Sequence, residues 1–277
     1  GIWHSYKESS YELVNRAKIM SDALVHRGPD DNGYWINENH GICFSHRRLS
    51  IIDLTEAGKQ PMISKSKRFS ITFNGEIYNH KKIRREIESK YNYSFSWKGN
   101  SDTETFLEAI ETFGLINTIK KSNGMFSFAL WDNFKKELYL VRDRFGEKPL
   151  YWGRTYLNNK SDKKILVFAS ELGSIFNLKG FTKSINPEAL ANYFKYGYIS
   201  GNESIQKDIN HLGPGQILHL KANNNGFFDY EAFNIYNWWD SRKEYENAKI
   251  IYSQNKEKYD KNYFLNKLEQ ELSNVIK

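Results

Sequence analysis

The chain has 277 residues, 39% of them hydrophobic, with a mean hydropathy of −0.70. That is enough apolar material for one large domain or two smaller ones, and no apolar run reaches the ~20 residues a membrane-spanning helix needs. The formal net charge is +7, but the lysines are spread along the chain without a zinc-ligand spacing or a nucleic-acid motif, so the excess reads as a solvated surface and excludes nucleic acid as the main partner.

Cys43 is the sole cysteine, so no intrachain disulfide can form. No signal-peptide pattern opens the chain, and a cytoplasmic setting is expected. The start, Gly1-Ile2-Trp3, is apolar where most termini are polar and frayed, so it is predicted to pack inside the fold. Ser9 or Ser10 then caps a helix with Leu13, Val14, Ala17, Met20, Ala23 and Leu24 on one face. His26-Arg27-Gly28-Pro29-Asp30 ends it in a fixed loop.

Residues 33–53 read as two strands, the second covering 41–53. Cys43 sits there between apolar neighbours as an inert buried thiol. After a loop at 55–62, Phe69, Ile71 and Phe73 alternate into a third strand. Asn74-Gly75 at its end reads as a sharp bend with positive φ. That bend is either a hairpin turn or a device that aims a side-chain amide and a backbone N–H at one point, as an oxyanion hole requires.

A short charged helix follows at 81–90. Ser101-Asp102-Thr103-Glu104 has the form of a capping box, and it starts a helix that buries Phe106, Leu107, Ile110 and Phe113 and stops at Gly114. Strands at 125–132 and 137–142, a polar corner at 142–149, and strands at 150–155 and 165–170 complete the run. Strands grouped between helices, without βαβ alternation, predict an α+β fold of antiparallel sheets flanked by helices.

Past Gly180, Asn186-Pro187 starts a helix with Leu190, Tyr193 and Phe194. Gly213-Pro214-Gly215 precedes a strand at 216–220, and Asn223-Asn224-Asn225-Gly226 is a turn. Residues 240–260 are charged and poor in aliphatics and read as a linker. Helical periodicity resumes at 263–276 with Phe264, Leu265, Leu268, Leu272, Val275 and Ile276. An apolar face of that kind needs a further domain to cover it, so a longer natural protein is expected.

Three features could serve one small substrate. Arg48 lies among apolar residues, where a guanidinium either grips a carboxylate with two parallel bonds, pairs with a protein carboxylate, or reaches solvent. Asp102 could accept an ammonium group, or could simply favour a helix N-terminus. Asn74 and Gly75 could hold an oxyanion. Together they would suit an amino acid with a reacting carbonyl.

Six motifs then fall in order: Leu24-Val25-His26-Arg27-Gly28-Pro29-Asp30, Ser45-His46-Arg47-Arg48-Leu49-Ser50-Ile51-Ile52-Asp53, Phe73-Asn74-Gly75-Glu76-Ile77-Tyr78-Asn79, Ser101-Asp102-Thr103-Glu104, Asn123-Gly124-Met125-Phe126-Ser127-Phe128-Ala129 and Arg142-Asp143-Arg144-Phe145-Gly146-Glu147-Lys148-Pro149-Leu150-Tyr151. The set closely resembles the glutaminase domain of glutamine-hydrolysing asparagine synthetases, a class II glutamine amidotransferase of the N-terminal-nucleophile hydrolase superfamily. Tyr193-Phe194-Lys195-Tyr196-Gly197-Tyr198 and Leu212-Gly213-Pro214-Gly215 resemble that family's lead-in to its synthetase domain.

The resemblance implies a four-layer αββα sandwich. It implies a nucleophilic cysteine whose own α-amine serves as base, expected immediately before Gly1 because the family begins Cys-Gly-Ile. By resemblance Asn74 and Gly75 form the oxyanion hole, Arg48 holds the glutamine α-carboxylate and Asp102 its α-ammonium. Leu49, Ser50, Ile51, Ile52 and Glu76 line the same pocket. The implied organisation is a glutaminase domain at 1–200, connecting strands and linker at 201–258, and the first helix of a synthetase domain at 259–277.

No cofactor or metal is expected in this chain. ATP and Mg²⁺ belong to the synthetase domain, whose Ser-Gly-Gly-x-Asp-Ser phosphate loop is expected beyond residue 277. The implied activity is hydrolysis of glutamine to supply ammonia for amidation of aspartate. The alternatives are amidation of a sugar acid of surface polysaccharide, or a catalytically inactive scaffold. The expected partners are glutamine, the synthetase domain and a possible second copy, with neither nucleic acid nor membrane.

Overall fold

The computed structural model describes residues 1–50, 52–157, 163–256 and 259–276. The apolar start forms β1 (Ile2–His4), all three residues buried. Ser9 caps α1 (Ser10–Asp22) by accepting from the Glu12 N–H. Two strands follow, β2 (Asp31–Asn37) and β3 (Ile42–Arg48). The second ends at Arg48 rather than continuing to Asp53, and the Arg48 side chain donates to the carbonyls of Asp53 and Thr55.

Next come β4 (Met62–Ile63), β5 (Phe69–Ile77), α2 (His80–Lys90), α3 (Asp102–Phe113) and α4 (Leu115–Lys121). Ser101 caps α3 through the Thr103 N–H, while the Glu104 carboxylate takes the N–H groups of Lys98 and Gly99. The reciprocal capping box expected there is therefore not formed. Then follow β6 (Gly124–Asp132), β7 (Glu137–Arg142), β8 (Tyr151–Tyr156), β9 (Lys164–Ala169), α5 (Leu172–Phe176) and α6 (Pro187–Tyr196). The last strands are β10 (Ile209–His211), β11 (Gln216–Ala222) and β12 (Phe228–Asn237).

Among the described residues the strands form two six-stranded antiparallel sheets. One has the order β10-β8-β9-β1-β3-β2 and the other β12-β11-β7-β6-β5-β4. Strand alternation sends one set of side chains between the sheets: Trp3, Ile42, Phe44, Leu166 and Phe168 from the first, and Ala129, Trp131, Leu138, Leu140, Leu218 and Leu220 from the second. Trp3 and Trp131 meet edge to face, ring centroids 5.1 Å apart. The outer face of the first sheet (Ile2, Cys43, Ile165, Val167) packs on Leu13, Ala17 and Met20 of α1. The outer face of the second packs on α3, where Phe106 meets Phe73, Phe126 and Phe128. The result is the α+β sandwich with helices outside both sheets.

The strands of 201–238 complete both sheets, so the first compact unit runs from Gly1 to Trp238 and does not stop near residue 200. The second unit starts at Trp239. There 241–254 is helical, α7 (Ser241–Gln254), capped by the Asp240 side chain. Its charges lie along a segment without Gly or Pro, which suits a helix with many exposed side chains. In α8 (Lys261–Ile276) Leu265, Leu268 and Leu272 are all exposed. No helix among the described residues is long and apolar enough to cross a membrane.

Candidate active site

The space between the sheets changes character at one end. In β3, Ile42 and Phe44 face the inter-sheet core, so by period-two alternation His46 and Arg48 face the same space. In β5, Phe73 points outward to α3, which turns Thr72, Asn74 and Glu76 inward. In β6 the inward series Trp131, Ala129 continues to Ser127, and after Phe168 of β9 comes Ser170. Apolar side chains thus give way to polar ones on both sheets at once. The outcome is a cleft of about 370 Å³ lined by Gly1, His46, Arg48, Thr72, Asn74, Gly75, Glu76, Asp102, Ser127, Lys148 and Ser170, among others.

Asn74-Gly75 is not a bend. The β5–β6 register runs unbroken from Phe69↔Asp132 to Ile77↔Gly124. Glycine is required because a Cβ at residue 75 would run into Met125 O and stand 2.7 Å from Phe126 Cα. The long pairing with β6 overrides the local turn preference of Asn-Gly. The amide orientation follows from the neighbours. The Phe73 N–H donates to Gln60 Oε1 (2.7 Å) and the Ile77 N–H to Asp102 Oδ2 (2.9 Å), both away from β6. Alternation puts the Gly75 N–H on that same open edge, between them. The Asn74 amide donates to Ser170 Oγ at 3.5 Å, and both residues line the cleft.

Arg48 is 9% exposed, and its guanidinium fixes the turn after β3: Nη1 donates to Thr55 O (3.0 Å) and Nη2 to Asp53 O. Among the described residues it pairs with no protein carboxylate, and it is largely withdrawn from solvent. Asp102 is 6% exposed. Oδ1 accepts from Thr103 N–H (2.8 Å) and Oδ2 from Ile77 N–H. Burial pushes its pKa upward against those hydrogen bonds and the nearby His80. Leu49, Ile52 and Glu76 line the cleft. Ser50 is not part of its lining, and its N–H donates to Asp30 Oδ2 (2.7 Å). Ile51 lies outside the described residues. Cys43, fully buried with its pKa pushed up to about 12 by burial, belongs to the α1 side of the sheet.

Two residues that no local pattern singles out also stand in the cleft. His46 Nδ1 lies 3.2 Å from Thr72 Oγ1 and so ties the two sheets together. Burial, then the Arg48 charge, pushes its pKa down to about 4, so the ring is neutral at pH 7. Gln60 clamps β5 by accepting from Phe73 N–H and donating to Phe73 O (3.1 Å). The signal for His46 was present in the alternation of β3, but it acquires meaning only once the facing strand is known. Among the described residues no group of three or more His, Cys, Asp or Glu is arranged to hold a metal ion. The cleft offers a guanidinium, a carboxylate and, between strands, an amide and a backbone N–H. That set can receive a small zwitterion carrying a carbonyl.

The family described as glutamine amidotransferase domain matches residues 1–231. The chain belongs to this family. Among its curated relatives, this amidotransferase domain is 37% identical over 213 residues to asparagine synthetase [glutamine-hydrolyzing] 2 of Bacillus subtilis, covering 75% of this chain and 26% of that protein. It is 32% identical over 283 residues to putative asparagine synthetase [glutamine-hydrolyzing] 2 of Methanocaldococcus jannaschii, covering 94% and 50% respectively. The chain thus spans half or less of the length of these relatives. Among solved structures, the glutamine phosphoribosylpyrophosphate amidotransferase from B. subtilis complexed with ADP and GMP superposes with a TM-score of 0.56 at 15% identity, covering 86% of this chain and 48% of that one. That likeness is one of fold.

Proposed function

We propose that this amidotransferase domain hydrolyses the side-chain amide of glutamine and supplies the ammonia to an ATP-dependent synthetase domain that amidates aspartate. The observation that carries the reading is the convergence of Arg48, Asn74, Gly75 and Asp102 on one cleft that also contains Gly1. Gly1 N donates to Phe168 O (2.7 Å), and Gly1 lines the cleft together with Asn74 and Ser170. A cysteine directly before Gly1 would therefore enter the same space.

In this reading Arg48 takes the substrate α-carboxylate and Asp102 its α-ammonium. Leu49, Ile52 and Glu76 shape the walls between them. The thiol gives its proton to the cysteine's own amine, and the thiolate adds to the amide carbon. The oxyanion that forms is held by the Asn74 amide and the Gly75 N–H. The C–N bond then breaks, the returned proton leaves with ammonia, and a thioester remains. Water cleaves the thioester to glutamate and restores the thiol. ATP and Mg²⁺ would serve the amidation step in the synthetase domain.

The test is glutamate release from glutamine by the full-length natural protein, with Asn74→Ala as the variant. Loss of one oxyanion donor should lower kcat about 10²–10³-fold. A natural protein that releases no glutamate, or an Asn74→Ala variant with unchanged kcat, would end this reading. Aspartate-dependent asparagine formation with ATP tests the acceptor separately.

A further inference from the structure

The two ends of the cleft come from parts of the chain far apart in sequence: the turn after β3 carries the Arg48 end, and the N-terminus of α3 carries Asp102. Asp53 joins them. It lines the cleft and is 8% exposed. Its Oδ1 accepts from the N–H (2.9 Å) and the hydroxyl (2.6 Å) of Thr55, the residue whose carbonyl receives Arg48 Nη1. Its Oδ2 accepts from the N–H of Asn100 (2.8 Å), two residues before Asp102. Its own carbonyl receives the other arm of the Arg48 fork.

The segment at 98–100 is held from the opposite side by Glu104, which accepts from Lys98 and Gly99 N–H, and by Arg84, whose Nη2 donates to Gly99 O (2.9 Å). Asp53 ties the same segment to the turn after β3. Gly99 completes the fit, since a Cβ there would collide with Asp53 Oδ2. Among the described residues the Asp53–Asn100 bond is the one hydrogen bond between residues 52–55 and the lead into α3.

We propose that Asp53 is a positioning residue that sets the separation of the Arg48 and Asp102 ends, and so makes the cleft selective for ligands carrying both an α-carboxylate and an α-ammonium. This rests on the glutamine reading above. Asp53 acts through the two ends, away from Asn74 and Gly75. Its loss weakens ground state and transition state alike, which raises KM and spares kcat.

The experiment compares Asp53→Asn and Gly99→Ala in the full-length natural protein. The first places an amide NH₂ against one of the N–H donors, and the second pushes the carboxylate off Asn100. The probes are glutamine, 4-carbamoylbutanoate (no α-ammonium) and 4-aminobutanamide (no α-carboxylate). Both variants should fold, raise KM for glutamine about tenfold with kcat within about threefold, and change KM for the two analogues far less, so that discrimination narrows. The proposal is overturned by wild-type KM in both variants, by a kcat loss at constant KM, by an equal KM rise for all three amides, or by failure of both variants to fold. A wild-type protein inert toward glutamine refutes the underlying reading instead, and is seen in the control lane of the same assay.

Discussion

Replacing Gly75 by alanine asks whether the close approach of β5 and β6 sets both stability and the site. The new methyl would stand 2.7 Å from Phe126 Cα and 2.8 Å from Phe126 Cβ, where ordinary contact begins at 3.4 Å. It would also collide with Met125 O, so relief needs a separation of at least about 0.7 Å between the strands, which stretches a ladder bond of ~2.9 Å beyond useful hydrogen-bond length. The bonds at risk are those of Asn74 and Glu76, the positions whose backbone faces β6. Losing two of these four bonds at ~1 kcal/mol each, with ~1 kcal/mol of overpacking, gives a destabilisation of about 3 kcal/mol. With a urea m-value of ~3 kcal/mol/M, the unfolding midpoint followed by circular dichroism should fall by about 1 M. The same shift moves the Gly75 N–H off its target, and kcat for glutamine hydrolysis should drop about 10²-fold. A Gly75→Ala protein with its midpoint within ~0.2 M of wild type would refute the packing argument. Normal stability with normal kcat would also remove Gly75 from the proposed oxyanion hole.

Gly173→Ala in α5 is the contrasting case: a Cβ there meets nothing within 4 Å, and the change should stabilise the fold by ~0.5–1 kcal/mol in the same urea titration. Arg48→Lys keeps the charge but loses the fork that holds the Asp53 and Thr55 carbonyls. It should cost ~1–3 kcal/mol and raise KM for glutamine, and an unchanged KM would argue against the carboxylate role. His4, His46 and His211 are each pushed down to about 4 by burial. From the unfolded value of 6.5 down to about 4 the unfolded chain therefore binds more protons than the folded one, and stability falls as pH falls through that window. Each fully effective histidine contributes a slope of ~1.4 kcal/mol per pH unit, less for the partly exposed His46 and His211, and raised carboxylates such as Asp102 and Glu108 oppose it at the acid end. Urea midpoints that stay level from pH 7 to pH 5 would contradict this.

Alternation made β5, β6 and β7 legible, since apolar residues every second position report a half-buried strand whatever its partner. It could not say which strands lie side by side. Asn74-Gly75 was therefore open to a turn reading, because the Asn-Gly preference is local whereas the pairing that defeats it comes from residues fifty positions away. The helix α7 was hidden for a different reason. Its charges resemble those of a linker, and only the Asp240 cap marks its start. Motif order was enough to name Arg48, Asn74, Gly75 and Asp102 as companions, and all of them line one cleft. No role can be read from sequence for Asp53, His46 or Gln60, since what each does depends on a partner in another segment. Ser50 lies outside the cleft lining, and its N–H goes to Asp30.

The cleft takes its walls from both sheets: His46 and Arg48 from one, Thr72 and Asn74 from the other. A small molecule lodged there is a strut between the two halves of the sandwich, and the halves cannot part without releasing it. Occupancy is then added directly to the free energy of unfolding, about 2.7 kcal/mol at a hundred times Kd. A thermal melt in the presence of candidate amides can thus rank ligands without any turnover.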